Sequence, residues 1–159
     1  MHSTQQIIDT KPGTYILILL STNNANINVG KLGVLEICKG FYLYIGSAFG
    51  PGGLSARIKH HSRIAKKPHW HIDYLRLFTN LNNVWLTYDS QHREHQWAQL
   101  LKDSPGGFVP LKGFGSSDCN CESHLFFYKL KPSLKNFQML IRKFYPKHDI
   151  IQSLQINNS

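Results

Sequence analysis

At 159 residues, with 42% hydrophobic and 17% charged residues, the chain is long enough to bury one core without disulfides, and its composition excludes a disordered or fibrous polypeptide. Lys and Arg number 18 against 9 Asp and Glu, for a net charge of +9, a balance that favours a polyanionic partner, with nucleic acid the commonest. The 3 cysteines (Cys38, Cys119, Cys121), the lack of a signal-peptide pattern over Met1 to Gln6, and an apolar run from Tyr15 to Leu20 too short to span a bilayer fit a reducing, cytoplasmic setting without a membrane partner.

In chain order, Gly13 to Leu20 is rich in β-formers between Pro12-Gly13 and Ser21 to Asn24, and reads as a buried strand. Asn23 to Asn28 reads as turn. Val34 to Cys38 and Phe41 to Ser47 read as strands joined by a tight hairpin at Lys39-Gly40, which makes three antiparallel strands early in the chain. A glycine-rich bend, Gly46 to Gly53, feeds a helix over Leu54 to Arg63 that Pro68 halts. Leu54 and Ile58 form its apolar stripe, and Arg57 and His61, four apart, share a face.

A second helical segment follows at Trp70 to Phe78, then a strand at Val84 to Tyr88 and a helix over Gln91 to Leu101 with Trp97, Leu100 and Leu101 inward. Asp103 to Gly107 is a loop, His124 to Leu130 a further strand, and Ser133 to Phe144 a closing helix with Ser133 as its cap. The last ten or so residues carry no pattern and are expected to fray. The layout is α+β: a small, mainly antiparallel sheet with helices packed on it, in one domain over residues 13–146, with an N-terminal extension (1–12) and a C-terminal tail (147–159). Strand alternation puts Tyr15 on one face with Leu17 and Leu19, and Tyr42 with Tyr44 on one face of their strand.

Gly13-Thr14-Tyr15, Tyr44-Ile45-Gly46, Arg57, His61 and Glu94, in this order, resemble the GIY-YIG nuclease superfamily. Three extended blocks are similar to its Uri-type branch: Tyr42 to Ala48, His69 to Leu75 and Gly113 to Cys119. The interval between Tyr15 and Tyr44 is longer than in most of the superfamily and usual for that branch. The resemblance runs from about Gly13 to Phe127. It implies a GIY-YIG-like fold and a metal-dependent endonuclease that hydrolyses phosphodiester bonds in DNA, RNA being the other possible substrate. Tyr15 and Tyr44 would supply the hydroxyl that takes or relays the proton of the attacking water, Arg57 would follow on the next helix, and Glu94 would be the ligand of one divalent ion. The asparagine that often closes the superfamily's core has two candidates, Asn120 and Asn136.

The chemistry of phosphodiester cleavage asks for the same residue types. An activated water, a stabiliser for the phosphoryl oxygens and help for the leaving oxygen are needed. Glu94 is a hard oxygen ligand suited to Mg²⁺ or Mn²⁺. Arg57 offers a planar fork of donors for two oxygens. A tyrosine can act as base only if a cation lowers its pKa from about 10. His61 can orient water or shuttle protons. Lys59, Arg63, Lys66 and Lys67 extend the basic stretch into a phosphate-binding ridge, and the glycines Gly50 to Gly53, above all Gly52 and Gly53, would let backbone approach a phosphate at the helix start. Taken singly, each residue has a duller role: packing for the tyrosines, an exposed pair with Arg93 or a lysine for Glu94. Their joint order favours the functional role.

A second cluster, Ser117, Asp118, Cys119, Cys121 and His124, either lies in a loop beside the active site or holds Zn²⁺, with His71, His69 or Cys38 as the fourth ligand. Two other readings stay open: a non-catalytic nucleic-acid-binding module that keeps the basic ridge, and a zinc-stabilised adaptor. A hydrolase with Cys119 as nucleophile is more remote, since nothing signals a lowered thiol pKa.

Overall fold

Thr14–Ser21 (β1) is apolar toward both faces and therefore becomes a central strand. In the computed structural model, which describes residues 7–116 and 120–156, it is followed by Ala25–Val29 (β2), Gly33–Ile37 (β3), Gly40–Ser47 (β4), Gly53–Ser62 (α1) and His71–Arg76 (α2). Asn80–Thr87 (β5), Glu94–Asp103 (α3), Gly107–Phe108 (β6), Leu125–Tyr128 (β7), Leu134–Phe144 (α4) and Gln152–Gln155 (β8) complete the order. Six strands form one sheet, β6-β7-β4-β1-β5-β8, antiparallel at every pairing, and β2 and β3 form a separate hairpin. The fold is α+β, as the residue pattern indicated.

The two faces of the sheet carry different layers. Tyr15, Leu17, Leu19, Tyr42, Val84, Leu86 and Phe127 face α1 and α2 (through Leu54, Ile58, Ile72 and Leu75) and the inner side of the β2–β3 hairpin. Ile16, Ile18, Leu43, Ile45, Trp85 and Phe126 face α3 and α4, with Trp97 and Phe137 at the centre of that second core. Ser133 caps α4, its side chain accepting from the Asn136 amide. No helix among the described residues is long and apolar enough to cross a membrane.

Three local expectations are corrected. Residues 25–29 are a strand and not a turn, because Ile27 and Val29 alternate inward opposite Leu35 and Gly33. The early hairpin therefore joins β2 to β3, closed by the Leu32 amide on the Val29 carbonyl. Lys39-Gly40 is instead a bend that redirects the chain into the main sheet, with Gly40 at φ 148, a value open to glycine. Finally, Gln152–Gln155 do not fray: β8 pairs with β5 and adds an outer strand, burying Leu154.

Candidate active site

The register of β1 on β4 builds the centre of the site. Tyr15 lies opposite Gly46 and Leu17 opposite Tyr44, which makes Tyr15 and Tyr44 diagonal neighbours on one sheet face. A Cβ at Gly46 would collide with the ring and hydroxyl of Tyr15, so the glycine makes room for the tyrosine beside it. Gly13 and Thr14 serve the same end of the sheet. The Gly13 carbonyl accepts from the Ala48 amide, and the Thr14 hydroxyl accepts from the Arg93 amide at the start of α3. Each residue of the Gly13-Thr14-Tyr15 motif thus has a separate structural task.

Tyr44, Gly46, Ser47, Arg57, Glu94, His95, Gly115 and His124 line a pocket of about 190 Å³. It opens where β4 runs on past its pairing with β7, the next bond being from the Ile45 amide to the His124 carbonyl. Arg57 reaches in from α1 and Glu94 from the first turn of α3, on the other face of the sheet. The expected set Tyr44, Arg57 and Glu94 is brought together here. Tyr15 and His61 sit buried behind it, the Tyr15 hydroxyl 2.6 Å from His61 Nε2.

Burial sets the protonation of this layer. It pushes Tyr15 well above its ordinary value, with Tyr44 adding to the rise and Arg57 opposing it, and pushes Tyr44 up to about 12, again against Arg57. Burial, the neighbouring His60 and the Arg57 charge push His61 down to about 3. Both phenols are therefore protonated and His61 is neutral at pH 7. Its Nδ1 is buried without a partner among the described residues. The direction of the Tyr15–His61 bond follows the imidazole tautomer: with the proton on Nδ1 the Tyr15 hydroxyl donates to Nε2, and with the proton on Nε2 the imidazole donates to the hydroxyl.

Around this core the structure adds residues that motif spacing did not single out. The Arg57 guanidinium lies 4.5 Å over the Trp70 ring, a cation–π contact that fixes its approach to the pocket. Trp70 is held in turn by Asp73, whose Oδ2 accepts from the His69 and Trp70 amides while Oδ1 lies 3.0 Å from His60 Nε2. Burial works to raise the Asp73 pKa, but those bonds bring it below its ordinary value. Among the described residues His71 joins no metal cluster; its Nδ1 accepts from the Gly115 amide at 2.9 Å and holds that loop against Tyr44. The signal for Trp70 and His71 was their place in the 69–75 block, which marks a conspicuous segment but not what it touches.

Glu94 is 23% exposed at the pocket rim, with His95 Nε2 3.8 Å from its Oε1. The suggested pairing with Arg93 does not occur. Arg93 Nη2 donates to Asp89 at 3.1 Å and Nη1 to Gln96 at 2.9 Å, leaving Glu94 its charge for the pocket. A rim carboxylate with no lysine or arginine partner among the described residues fits Mg²⁺ or Mn²⁺, which keep most of their shell as water and phosphate oxygens.

Three expectations fare differently. The phosphate cradle at Gly52 and Gly53 is filled by the chain itself: the amides of Gly53, Leu54 and Ser55 donate to the carbonyls of Gly50, Lys11 and Asp9. Gly52 and Gly53 have φ of 82 and 57, and a Cβ on Gly53 would strike the Thr10 carbonyl, so these glycines serve a close chain crossing. Asn136 lies on α4, on the opposite face of the sheet, beside Trp85 and Phe137. The basic stretch divides: two residues on a helix turn about 200°, so Arg57 and His61 face inward while exposed Lys59 lies on the far side of α1, with Arg63, Lys66 and Lys67 exposed beyond its end.

Ser117, Asp118 and Cys119 lie outside the described residues. Cys121 and His124 approach His95, not His69, His71 or Cys38, among the described groups able to share an ion. A family model described as a domain of unknown function, DUF123, matches residues 14–145. The chain belongs to the DUF123 family. No curated protein and no solved structure matches it. The matched stretch of this DUF123 chain runs from β1 through α4 and takes in every pocket-lining residue named above.

Proposed function

We propose that this DUF123 domain is a GIY-YIG-type, metal-dependent endonuclease acting on DNA in the cytoplasm. The observation that carries the reading is the convergence of Tyr44, Arg57 and Glu94 on one pocket, with Tyr15 and His61 directly behind it, from four elements of the fold. Packing needs alone would not bring a carboxylate, a guanidinium and a phenol to one small opening with a second phenol directly behind it.

Arg57, steadied on Trp70, binds two non-bridging oxygens of the scissile phosphate. Glu94 would hold the divalent ion, which when bound supplies positive charge to the phosphoryl oxygens and lowers the pKa of groups around it. The tyrosine pair relays the proton of the attacking water. Burial alone opposes phenolate formation, so the relay depends on cationic neighbours, and Arg57 already acts in that direction on both hydroxyls. His61 is a positioning residue. With a value of about 3 it holds a proton too weakly to be the resting base, since each pKa unit between donor and acceptor costs about 1.4 kcal/mol.

The test is a cleavage assay on labelled single-stranded, branched and duplex DNA with Mg²⁺, Mn²⁺ or EDTA, comparing wild type with Glu94→Ala. We expect metal-dependent cutting that falls at least about 100-fold in the variant, with binding nearly unchanged. Salt-sensitive binding without cutting under any metal would instead leave a nucleic-acid-binding module.

A further inference from the structure

At the same pocket, three ligands of two types meet from two places in the chain. His95 belongs to the first turn of α3, and Cys121 and His124 to the segment leading into β7, and one donor atom from each lies within 4.8 Å of the other two. The segment is fixed before any ligand arrives. The His124 amide donates to the Phe114 carbonyl, its carbonyl accepts from Ile45, and the flanking Glu122 carbonyl accepts from Gly113. Lys102 of α3 pairs with Glu122 at 3.2 Å, which ties the same segment to the helix that carries His95.

We propose that His95, Cys121 and His124 form a zinc site at the rim of the pocket. In a tetrahedral zinc site, metal bonds of about 2.0 Å to nitrogen and about 2.3 Å to sulfur set the donors roughly 3.3–3.8 Å apart. The three donors lie within 4.8 Å of one another, and His95, whose side chain is 59% exposed, has the freedom to bring them into that range. A thiolate with two imidazoles selects Zn²⁺ over Mg²⁺ or Ca²⁺, which take oxygen. Three protein ligands leave one position for water, on the side where His95 and His124 line the pocket. The ion would clamp the 120–124 segment to the start of α3, beside Glu94. This site is chemically distinct from the Glu94 site and does not depend on whether the pocket cuts nucleic acid.

The experiment measures metal on the full chain without nucleic acid. Metal-free protein is titrated with Zn²⁺ and, in parallel, with Co²⁺, whose thiolate charge-transfer absorption reports sulfur ligation. We expect about one zinc per chain and a thiolate band in the wild type. Cys121→Ser should abolish the band, and His95→Ala should weaken zinc binding at least about 100-fold. His95 is exposed, so that variant keeps its fold, checked by circular dichroism. Zinc uptake well below one equivalent, a cobalt spectrum without the thiolate band, or unchanged affinity in a folded His95→Ala protein would each overturn the site. Because the readout is metal content, its failure leaves the nuclease proposal standing, and loss of cleavage in Glu94→Ala says nothing about zinc.

Discussion

His61 shows how much one buried side chain decides. Its ring packs on Tyr15, Tyr44 and Trp70, and its Nε2 meets the Tyr15 hydroxyl. Burial, aided by His60 and Arg57, keeps it neutral down to about pH 3, whereas in the unfolded chain it titrates near its ordinary value of 6.5. Between those values the unfolded chain binds protons that the folded chain does not, so stability rises with pH across this window and is lost as pH falls. We expect the melting temperature to be flat above about pH 7 and to drop steadily toward about pH 4.5, with a shallower drop in His61→Gln. An unchanged slope in that variant would mean that His61 is not held neutral. That Arg57 and His61 share a face was legible from their spacing of four. That His61 faces a tyrosine from a strand far away in the chain was not, because the contact depends on how α1 crosses the sheet.

At the scale of elements, the placement of Glu94 rests on a buried network at the base of α3. The Asp89 carboxylate accepts from the Gln91 and Asp149 amides and from Arg93, with both charged side chains only 5% exposed. Burial works to raise the Asp89 pKa, and these donors outweigh it. His148 Nε2 accepts from Trp97 Nε1 at 3.0 Å, which locks the C-terminal segment onto the same helix. Removing one member of a buried pair leaves an uncompensated charge, at a cost of roughly 3 kcal/mol. We therefore expect Arg93→Leu to lower stability by about that amount in urea unfolding, and cleavage to fall with it because the first turn of α3 shifts. A loss below about 0.5 kcal/mol would show that the network is not what anchors the helix. Helix α3 itself was readable from Trp97, Leu100 and Leu101. Its start at Glu94 instead of Gln91 was not, since Asp89 and Thr14 hold the residues before it through bonds that cross the fold.

The whole molecule carries its excess charge unevenly. Arg57 is committed to the pocket and Trp70, while Lys59, Arg63, Lys66 and Lys67 stay exposed on and beyond α1. If that outer face tracks a phosphate backbone, each cation displaces about one counterion on binding. We expect Lys66→Ala and Lys67→Ala each to weaken DNA binding and to reduce the slope of log affinity against log salt by about 1, with no preference for sequence. A slope unchanged in both variants would place the nucleic acid elsewhere on the surface.

The sequence by itself determined the class of fold, the apolar strand at Thr14–Ser21 and the helices flanking the sheet, because periodicity and local propensity are short-range properties, whereas Tyr44, Arg57 and Glu94 stood out through the resemblance to the GIY-YIG superfamily. Ser133 as the cap of α4 and the Leu54–Ile58 stripe are legible for the same reason. Only the tertiary structure decided what distant segments do to one another. It sent β3 to β2 and not to β4, and turned Gln152–Gln155 into β8. It filled the α1 amides with the Asp9 and Lys11 carbonyls, and brought His95 to Cys121 and His124. Each of these is a pairing choice among segments of similar local character, settled by which arrangement buries both faces of the sheet and satisfies its backbone groups at once.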